Sequence, residues 1–304
     1  MTIKHIVLSG GGPTGFITYG AVKHLAKENF WNLSDIESIY GCSIGAFMGI
    51  VISLGYDWDL LDDYFIKRPW NKLIDASSKS LIDAFLNKGI LGESLFKDCI
   101  EPLLTAKNLD VNITMQNLYD INGINIHLYS TNLNSKKLEK IDISRESHPN
   151  LTVIKALAMS MSYPFIFEPI HDDEGNCYID GGLLNLMPLN DCLEQTKCNT
   201  DEILVFKNMW ANAEHDNNYK ISKESTMMDY FYTLIKKMQI TLSTEQNQTN
   251  VINTVTSAID ELHGFDKWIE SLSNDELRVK LINQGCHDAK LFLEIVFEKS
   301  YDKN

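Results

Sequence analysis

The sequence is poor in cysteine, in basic residues and in long apolar runs, and each shortage excludes a class of protein. Six cysteines in 304 residues, with no C-x-x-C pair, make neither a disulfide framework nor a zinc ribbon. No stretch approaches the roughly 18 apolar residues of a transmembrane helix. The apolar run Ile6–Leu8 is too short for a secretory signal. We therefore expect a soluble protein of the cytoplasm, or of a host-cell cytoplasm, with at most peripheral membrane contact.

Basic residues are outnumbered by acidic ones. Lysine and arginine total 27 against 41 aspartate and glutamate residues, which gives a formal net charge of −14 at pH 7. Because nucleic-acid binding needs a basic field, no nucleic-acid partner is expected. The acidity also disfavours purely electrostatic docking on anionic membranes. Histidines and cysteines lack metal-ligand spacing, and no EF-hand loop is present, so we expect no metal and no cofactor.

Strand-like and helix-like segments alternate over the first two thirds of the chain. Alternation of this kind predicts an α/β fold of three layers, with a mainly parallel sheet covered by helices on both faces. Beyond about residue 215 the strand signals fade, and two amphipathic helices are predicted at Ser225–Thr244 and Leu277–Lys299. We expect a catalytic core over residues 1–212. Residues 213–304 would form a helical extension packed on that core, within one structural unit. The predicted strands are His5–Ser9, Ile36–Tyr40, Asn125–Thr131, Cys177–Ile179 and Glu202–Lys207.

The segment Gly41-Cys42-Ser43-Ile44-Gly45 follows a predicted strand and opens a predicted helix. This is the context of a G-x-S-x-G nucleophile elbow, in which a sharp turn presents the serine at the top of the sheet. Gly41 and Gly45 are needed there because the turn brings its flanking residues too close for a Cβ atom. The alternative is an ordinary strand–helix turn in which Ser43 caps the helix.

A glycine-rich segment, Gly10-Gly11-Gly12-Pro13-Thr14-Gly15, follows the first predicted strand. Consecutive glycines leave backbone N–H groups able to converge on an anion, either a phosphate or an oxyanion. A dinucleotide site would also need an acidic residue at the end of the second strand. That strand ends in Gly41-Cys42-Ser43, and no G-K-[ST] follows the glycines. Nucleotide binding stays as an alternative hypothesis.

Asp180 ends a predicted strand and is followed by Gly181 and Gly182. Ligands of open α/β sheets bind at the carboxyl ends of strands, although an Asp-Gly pair is also common in plain turns. A hydroxyl nucleophile, a glycine-rich loop and a carboxylate are together the three roles that acyl transfer requires. The three segments therefore predict one site for acyl-ester chemistry.

The order of these motifs resembles the patatin-like phospholipase family, which is related to cytosolic phospholipase A2 catalytic domains. The resemblance covers roughly residues 4–210. It implies that Ser43 is the nucleophile, that Asp180 is its direct partner in a Ser–Asp dyad without histidine, and that the loop Gly10–Gly12, closed by Gly15, stabilises the oxyanion. It further implies a lipid acyl hydrolase of phospholipase A, lysophospholipase or esterase type. Its partners would be a lipid or fatty-acyl ester and, transiently, a membrane or micelle surface.

One departure from the family pattern concerns the substrate. The family usually has arginine or lysine where this chain has Thr14. Without that basic side chain, the expected substrates widen to neutral glycerides and simple esters. An alternative hypothesis is a non-catalytic family member that binds lipid or a partner. Three histidines follow Asp180, as in the Ser–Asp–His order of α/β-hydrolases, but no local context singles one out. They are His215, His263 and His287. Aromatic candidates for acyl-chain contact, which also fit a core role, are Phe65, Trp70, Phe85 and Trp210.

Overall fold

Eight strands of the described residues form a mixed sheet at the centre of the molecule. The computed structural model describes residues 2–74, 81–209, 220–244, 251–259 and 264–301. The sheet has the order β10-β9-β1-β2-β4-β8-β7, and β5 pairs with β4 beside this path, while β3 and β6 form a separate two-stranded sheet. The strands are β1 (His5–Leu8), β2 (Ser38–Cys42), β3 (Gly89–Leu91), β4 (Asn125–Asn132), β5 (Glu139–Ile143), β6 (Phe165–Phe167), β7 (Ile170–His171), β8 (Cys177–Asp180), β9 (Ile203–Met209) and β10 (Thr254–Ala258).

Five neighbouring strands, from β10 to β4, run parallel. Every residue of β1 and β2 is buried, as expected of central parallel strands that are covered on both faces. In their register, Leu8 at the end of β1 lies beside Gly41. Cys42 at the end of β2 lies beside Tyr129. The loops that follow β1 and β2 therefore leave the sheet side by side, and these are the glycine-rich loop and the Ser43 turn.

Strand β8 runs antiparallel to β4, with Asp180 opposite Ser130. The rule about carboxyl ends of parallel strands, which suggested Asp180 from the sequence, therefore does not apply to this strand. Asp180 still reaches the same edge of the sheet because β8 enters from beyond the end of β4 and stops opposite Ser130, one residue before the level of Tyr129. Asp180 thus lies at the end of a strand, as expected from the sequence, but that strand is antiparallel to β4.

Helices cover both faces of the sheet. Alternate residues of β1 point to opposite sides: Ile6 and Leu8 join the larger apolar cluster, and Val7 joins a second cluster that includes Leu189. This arrangement confirms the predicted three-layer α/β fold. Within the described ranges, no helix has both the length and the apolar character needed to cross a bilayer. The helices are α1 (Gly15–Lys27), α2 (Ile44–Ser53), α3 (Trp58–Asp62), α4 (Leu81–Asn87), α5 (Ser94–Ala106), α6 (Met115–Asn122), α7 (Val153–Met161), α8 (Leu189–Thr196), α9 (Met227–Thr244), α10 (Gly264–Ser273) and α11 (Asp275–Tyr301).

The C-terminal region contributes a strand as well as helices. Strand β10 extends the sheet next to β9, although the sequence analysis placed no strand beyond residue 215. Helix α11 packs closely on α1 through two glycines. A Cβ atom on Gly20 would lie 2.0 Å from the carbonyl oxygen of Ile282, and one on Gly285 would lie 1.9 Å from that of Ile17. Backbone-to-backbone packing of this kind fixes α11 against the helix that follows the glycine-rich loop.

Candidate active site

Ser43 occupies a strained turn between β2 and α2. Its backbone angles are φ 54° and ψ −126°, which place a non-glycine residue outside the common regions. The Ser43 N–H donates a hydrogen bond of 3.1 Å to the Oγ of Ser160, and that hydroxyl donates in turn to the Tyr129 carbonyl oxygen at 2.7 Å. The turn is thus held from the neighbouring strand and helix. The half-buried side chain of Ser43 lines a pocket at the carboxyl end of the parallel strands.

Both glycines of the turn are required by close backbone approach. A Cβ atom on Gly41 would lie 2.5 Å from the carbonyl oxygen of Gly45. One on Gly45 would lie 2.3 Å from the carbonyl oxygen of Leu8. Contacts this short with backbone atoms cannot be relieved by rotating a side chain. This is the close backbone approach for which a nucleophile elbow needs its two glycines.

Asp180 is the hydrogen-bond partner of the Ser43 side chain. The Ser43 Oγ donates to Asp180 Oδ2 at 2.5 Å, and the Gly182 N–H donates to Asp180 Oδ1 at 2.7 Å. The Asp180 backbone is anchored by its N–H to the Ser162 carbonyl oxygen at 2.9 Å. Gly181 allows this approach, because a Cβ atom there would lie 2.1 Å from the Tyr129 carbonyl oxygen. Both carboxylate oxygens are therefore oriented, one of them toward the serine.

Burial changes the acidity of this carboxyl group. Asp180 is only 2% exposed, and desolvation raises its pKa from the ordinary 3.8 to about 6. Hydrogen bonds from Ser43 and Gly182, and the charge of Lys236, act in the opposite direction and lower the pKa. A carboxylate with a pKa near 6 is a better proton acceptor at neutral pH than an exposed aspartate, and it is still ionised there.

The glycine-rich loop faces the pocket with only part of its length. The Gly10 N–H donates to the Leu186 carbonyl oxygen at 2.9 Å, so this buried amide is already engaged. Gly11 and Gly12 line the pocket, and their φ angles of 151° and 61° favour glycine. Gly15 begins α1, where an added Cβ atom would lie 2.3 Å from Cγ1 of Ile44. Gly15 thereby brings the N-termini of α1 and α2 together next to Ser43.

Thr14 takes a structural place in the loop. It is 1% exposed, and its Oγ1 accepts a hydrogen bond of 2.8 Å from the side-chain amide of Asn208. The same amide also donates to the Oγ of Ser9 at 3.0 Å and to the Gly10 carbonyl oxygen at 3.3 Å. Asn208, near the end of β9, therefore holds the glycine-rich loop in place through these hydrogen bonds. No sequence motif marks this residue, because Thr14 and Asn208 are 194 positions apart in the chain.

The rest of the pocket is mainly apolar. Phe65 and Trp70, named from the sequence, line it and are almost fully buried, so they belong to both the core and the pocket wall. Phe85 is 85% exposed on α4, and Trp210 lies outside the described residues. An unbranched acyl chain would be accommodated by such a wall. Its other apolar members include Phe16, Phe47, Leu95, Phe96, Leu157, Ile166, Phe167, Trp268 and Leu272.

Two buried polar residues of α9, Lys236 and Gln239, also line the pocket and were not predicted as site residues. In a helix that is amphipathic by sequence, a lysine is normally assigned to the solvent face, so nothing in the sequence marked them. Among the histidines, His215 and His263 lie outside the described residues, and His287 is exposed on α11. No histidine of the described chain lines the pocket.

The sequence model of the patatin-like phospholipases matches residues 6–193, which is more than half of the chain. This chain belongs to the patatin-like phospholipase family. The matched range contains the glycine-rich loop, Ser43 and Asp180, and it ends before β9 and α9. The part of the chain that the family model matches therefore does not include Asn208, Lys236 and Gln239.

Similar proteins match most of the chain at low identity. Uncharacterized protein R571 of Acanthamoeba polyphaga mimivirus is 27% identical over 282 residues, which cover 92% of this chain and 88% of R571. Uncharacterized protein L620 of the same virus is 24% identical over 348 aligned positions, covering 96% of this chain and 88% of L620. The crystal structure of VipD from Legionella pneumophila is similar with a TM-score of 0.49 and 17% identity, over 94% of this chain and 67% of VipD.

Proposed function

We propose that this patatin-like protein is a serine hydrolase of lipid acyl esters that forms an acyl-Ser43 intermediate, with Asp180 as the general base. The observation that carries the proposal is the 2.5 Å hydrogen bond from Ser43 Oγ to the buried carboxylate of Asp180, two residues that line an apolar pocket. A positioned nucleophile with a base in hydrogen-bond contact is the arrangement that acyl transfer needs.

The reaction has two halves that use the same residues. Asp180 Oδ2 takes the proton of Ser43 Oγ while Oγ attacks the ester carbonyl carbon, and collapse of the tetrahedral intermediate expels the alcohol, which leaves with that proton. Water then donates a proton to Asp180 as its oxygen attacks the acyl-serine. Collapse releases the carboxylic acid and returns the proton to Ser43, so the enzyme is restored.

The oxyanion of each tetrahedral intermediate would be held by backbone donors. Gly11 and Gly12 are the candidates, since they line the pocket and the amide of Gly10 is engaged with Leu186. Each well-placed donor contributes on the order of 3–4 kcal/mol to lowering the barrier. The N-termini of α1 and α2 add a favourable field at the same place.

Access to lipid would come from apolar side chains that surround the pocket. Phe165 is 38% exposed and stacks on Phe231 at 4.1 Å between ring centroids. Their chain neighbours Ile166 and Tyr232 line the pocket, so these rings continue the pocket wall outward. Phe85 extends the same surface through α4 and β3, which pairs with β6. Contact with a membrane or micelle surface through these residues would let an ester enter without crossing water.

The test is hydrolysis of acyl esters of increasing chain length by wild type and matched variants. Ser43→Ala is expected to abolish turnover, whereas Ser53→Ala, at the other end of the same helix, should retain it. Asp180→Asn is expected to lower kcat by roughly 100-fold or more, and Asp173→Asn, which removes an exposed carboxylate from the turn between β7 and β8, should not. Full activity of Ser43→Ala would refute the proposal. Lipid binding without hydrolysis by folded wild type would favour a non-catalytic, lipid-binding protein.

A further inference from the structure

Helix α9 places a polar pair in the otherwise apolar pocket. Lys236 and Gln239 are 7% and 5% exposed and lie three residues apart, so they occupy the same face of the helix. Both line the pocket together with Ser43 and Asp180. The next residue after Lys236, Lys237, is exposed. The sequence Lys236-Lys237 thus puts one ammonium group in solvent and the other beside the candidate dyad.

Lys236 is electrostatically coupled to the base. In the described part of the chain, the charged side chains that line the pocket are Asp180 and Lys236. Burial lowers the pKa of Lys236 to about 8, and the charge of Asp180 acts in the opposite direction. The ammonium group is therefore mostly protonated at pH 7, in surroundings where a positive charge attracts an anion much more strongly than it would in water.

Gln239 carries an acceptor that the described residues leave unused. Its Oε1 is buried and has no hydrogen-bond partner within the described part of the chain. Buried amide oxygens are nearly always paired, so this acceptor is open to a donor from water or from a bound ligand. Its Nε2 lies next to Gly182, 3.4 Å from where a Cβ atom of that residue would be. The amide is thus held beside the residue that orients Asp180.

The glycine-rich loop itself offers no side-chain cation to a substrate. Residues 10–15 are glycine, proline and threonine, and Thr14 is buried and bound to Asn208. A positive charge close to Ser43 therefore comes from α9. In a glycerophospholipid the phosphate lies only a few bonds from the scissile ester, so an ester bound at Ser43 keeps its phosphate close to the dyad. A hydroxyl of the glycerol or headgroup would supply a donor for Gln239.

We propose that Lys236 and Gln239 form a subsite for the phosphate group of a glycerophospholipid, with Lys236 binding a phosphate oxygen and Gln239 accepting from a neighbouring hydroxyl. This assignment rests on the proposed esterase function and narrows its substrate to phosphate-bearing acyl esters. Charge-assisted hydrogen bonds of this kind are about twice as strong as neutral ones. The subsite therefore favours a phospholipid over a neutral glyceride with the same acyl chain.

The experiment compares kcat/KM for palmitoyl lysophosphatidylglycerol and for monopalmitoylglycerol, which carry the same acyl ester with and without phosphate. Lys236→Met should lower the ratio of kcat/KM for the phosphate-bearing substrate to kcat/KM for the neutral one by at least about 10-fold. Any shared effect on Asp180 cancels in this ratio. Lys237→Met removes the same charge from the exposed side of the helix and should leave the ratio unchanged. Gln239→Glu keeps the shape but places a carboxyl group near the phosphate, and it should lower the ratio as well.

The outcomes separate this subsite from the esterase proposal. If wild type hydrolyses monopalmitoylglycerol and both Lys236→Met and Gln239→Glu keep the wild-type ratio, the subsite is wrong while the esterase stands. If folded wild type hydrolyses neither substrate, the esterase proposal fails first. Inorganic phosphate could inhibit wild type but not Lys236→Met while the ratio stays unchanged. That result would assign the site to free phosphate and contradict binding of a phospholipid phosphate group. Thermal unfolding of each variant confirms that it is folded.

Discussion

Ser43 Oγ donates a 2.5 Å hydrogen bond to Asp180 Oδ2, although 137 positions separate the two residues. The contact depends on two strand ends that meet. Strand β2 ends at Cys42 beside Tyr129 of β4, and β8, running the other way, ends at Asp180 beside Ser130. A shift of β8 by one residue would turn the Asp180 side chain to the opposite face of the sheet. The register of β8 on β4 is therefore as important for the site as the Ser43 turn.

Activity should fall on the acidic side with the protonation of Asp180. The base must be ionised to accept the serine proton, and burial raises its pKa to about 6. We expect kcat/KM for an uncharged ester to be near its maximum at pH 7 to 8 and to decline tenfold per unit well below pH 6. Because Lys236 lowers the pKa of Asp180, Lys236→Met should move this decline to higher pH, and Lys237→Met should not. A rate independent of pH between 4 and 8 would contradict Asp180 as the base.

Asp180 should cost stability at neutral pH. Its pKa is about 6 in the folded protein against an ordinary 3.8, so the folded state binds the proton more tightly than the unfolded chain does. Stability from this group is therefore lost as the pH rises from about 4 to 6. Asp180→Asn has no such dependence and should be more stable than wild type at pH 7, by up to about 3 kcal/mol. Urea unfolding at pH 4 and pH 7 measures the difference, and an equal offset at both values would contradict the prediction.

Gly45 should tolerate no side chain. A Cβ atom there would meet the Leu8 carbonyl oxygen at 2.3 Å, whereas on Gly49, one turn further along α2, it would meet Cγ2 of Ile39 at 2.9 Å. We expect Gly45→Ala to lose activity and at least about 3 kcal/mol of unfolding free energy. Gly49→Ala should cost less, because a side chain can shift where a backbone carbonyl cannot. Equal losses in the two variants would show that the elbow is not specifically constrained.

The exposed apolar surface beside the pocket should control activity on aggregated lipid. Phe85 is 85% exposed on α4, which precedes β3, the partner strand of β6 that carries Phe165. Ile121 is 59% exposed on α6, next to the start of β4 at the opposite edge of the sheet. Phe85→Ser should lower hydrolysis of micellar or vesicular substrate several-fold and leave a short, soluble ester unaffected. Ile121→Ser serves as the control. If the two substitutions changed the fraction of protein that co-sediments with vesicles equally, Phe85 would not belong to a lipid-contact surface.

Much of the site could be predicted from local sequence because its parts are turns with strict backbone demands. The G-x-S-x-G segment identified Ser43, since a strained elbow needs glycine on both sides. Consecutive glycines identified the loop after β1. The sequence could not show that the Gly10 amide is engaged by Leu186, because that contact joins residues far apart in the chain.

The residues that the sequence did not reveal reach the site through tertiary packing. Lys236 and Lys237 are identical neighbours in an amphipathic helix, and only the docking of α9 decides which of them is buried. Strand β10 was missed because Thr254–Ala258 has no apolar run. Only one side of it is buried, through Val255 and Ser257, so the segment lacks the pattern of a central strand.

The most direct measurement is covalent labelling with a fluorophosphonate, followed by mass spectrometry of the modified peptide. An activated serine at the elbow predicts a single adduct on Ser43, no adduct in Ser43→Ala, and much slower labelling in Asp180→Asn than in Asp173→Asn. Variants of His215, His263 and His287 to alanine should label like wild type. No adduct on the folded wild-type protein, or labelling that a histidine substitution abolishes while Asp180→Asn retains it, would contradict the Ser43–Asp180 dyad.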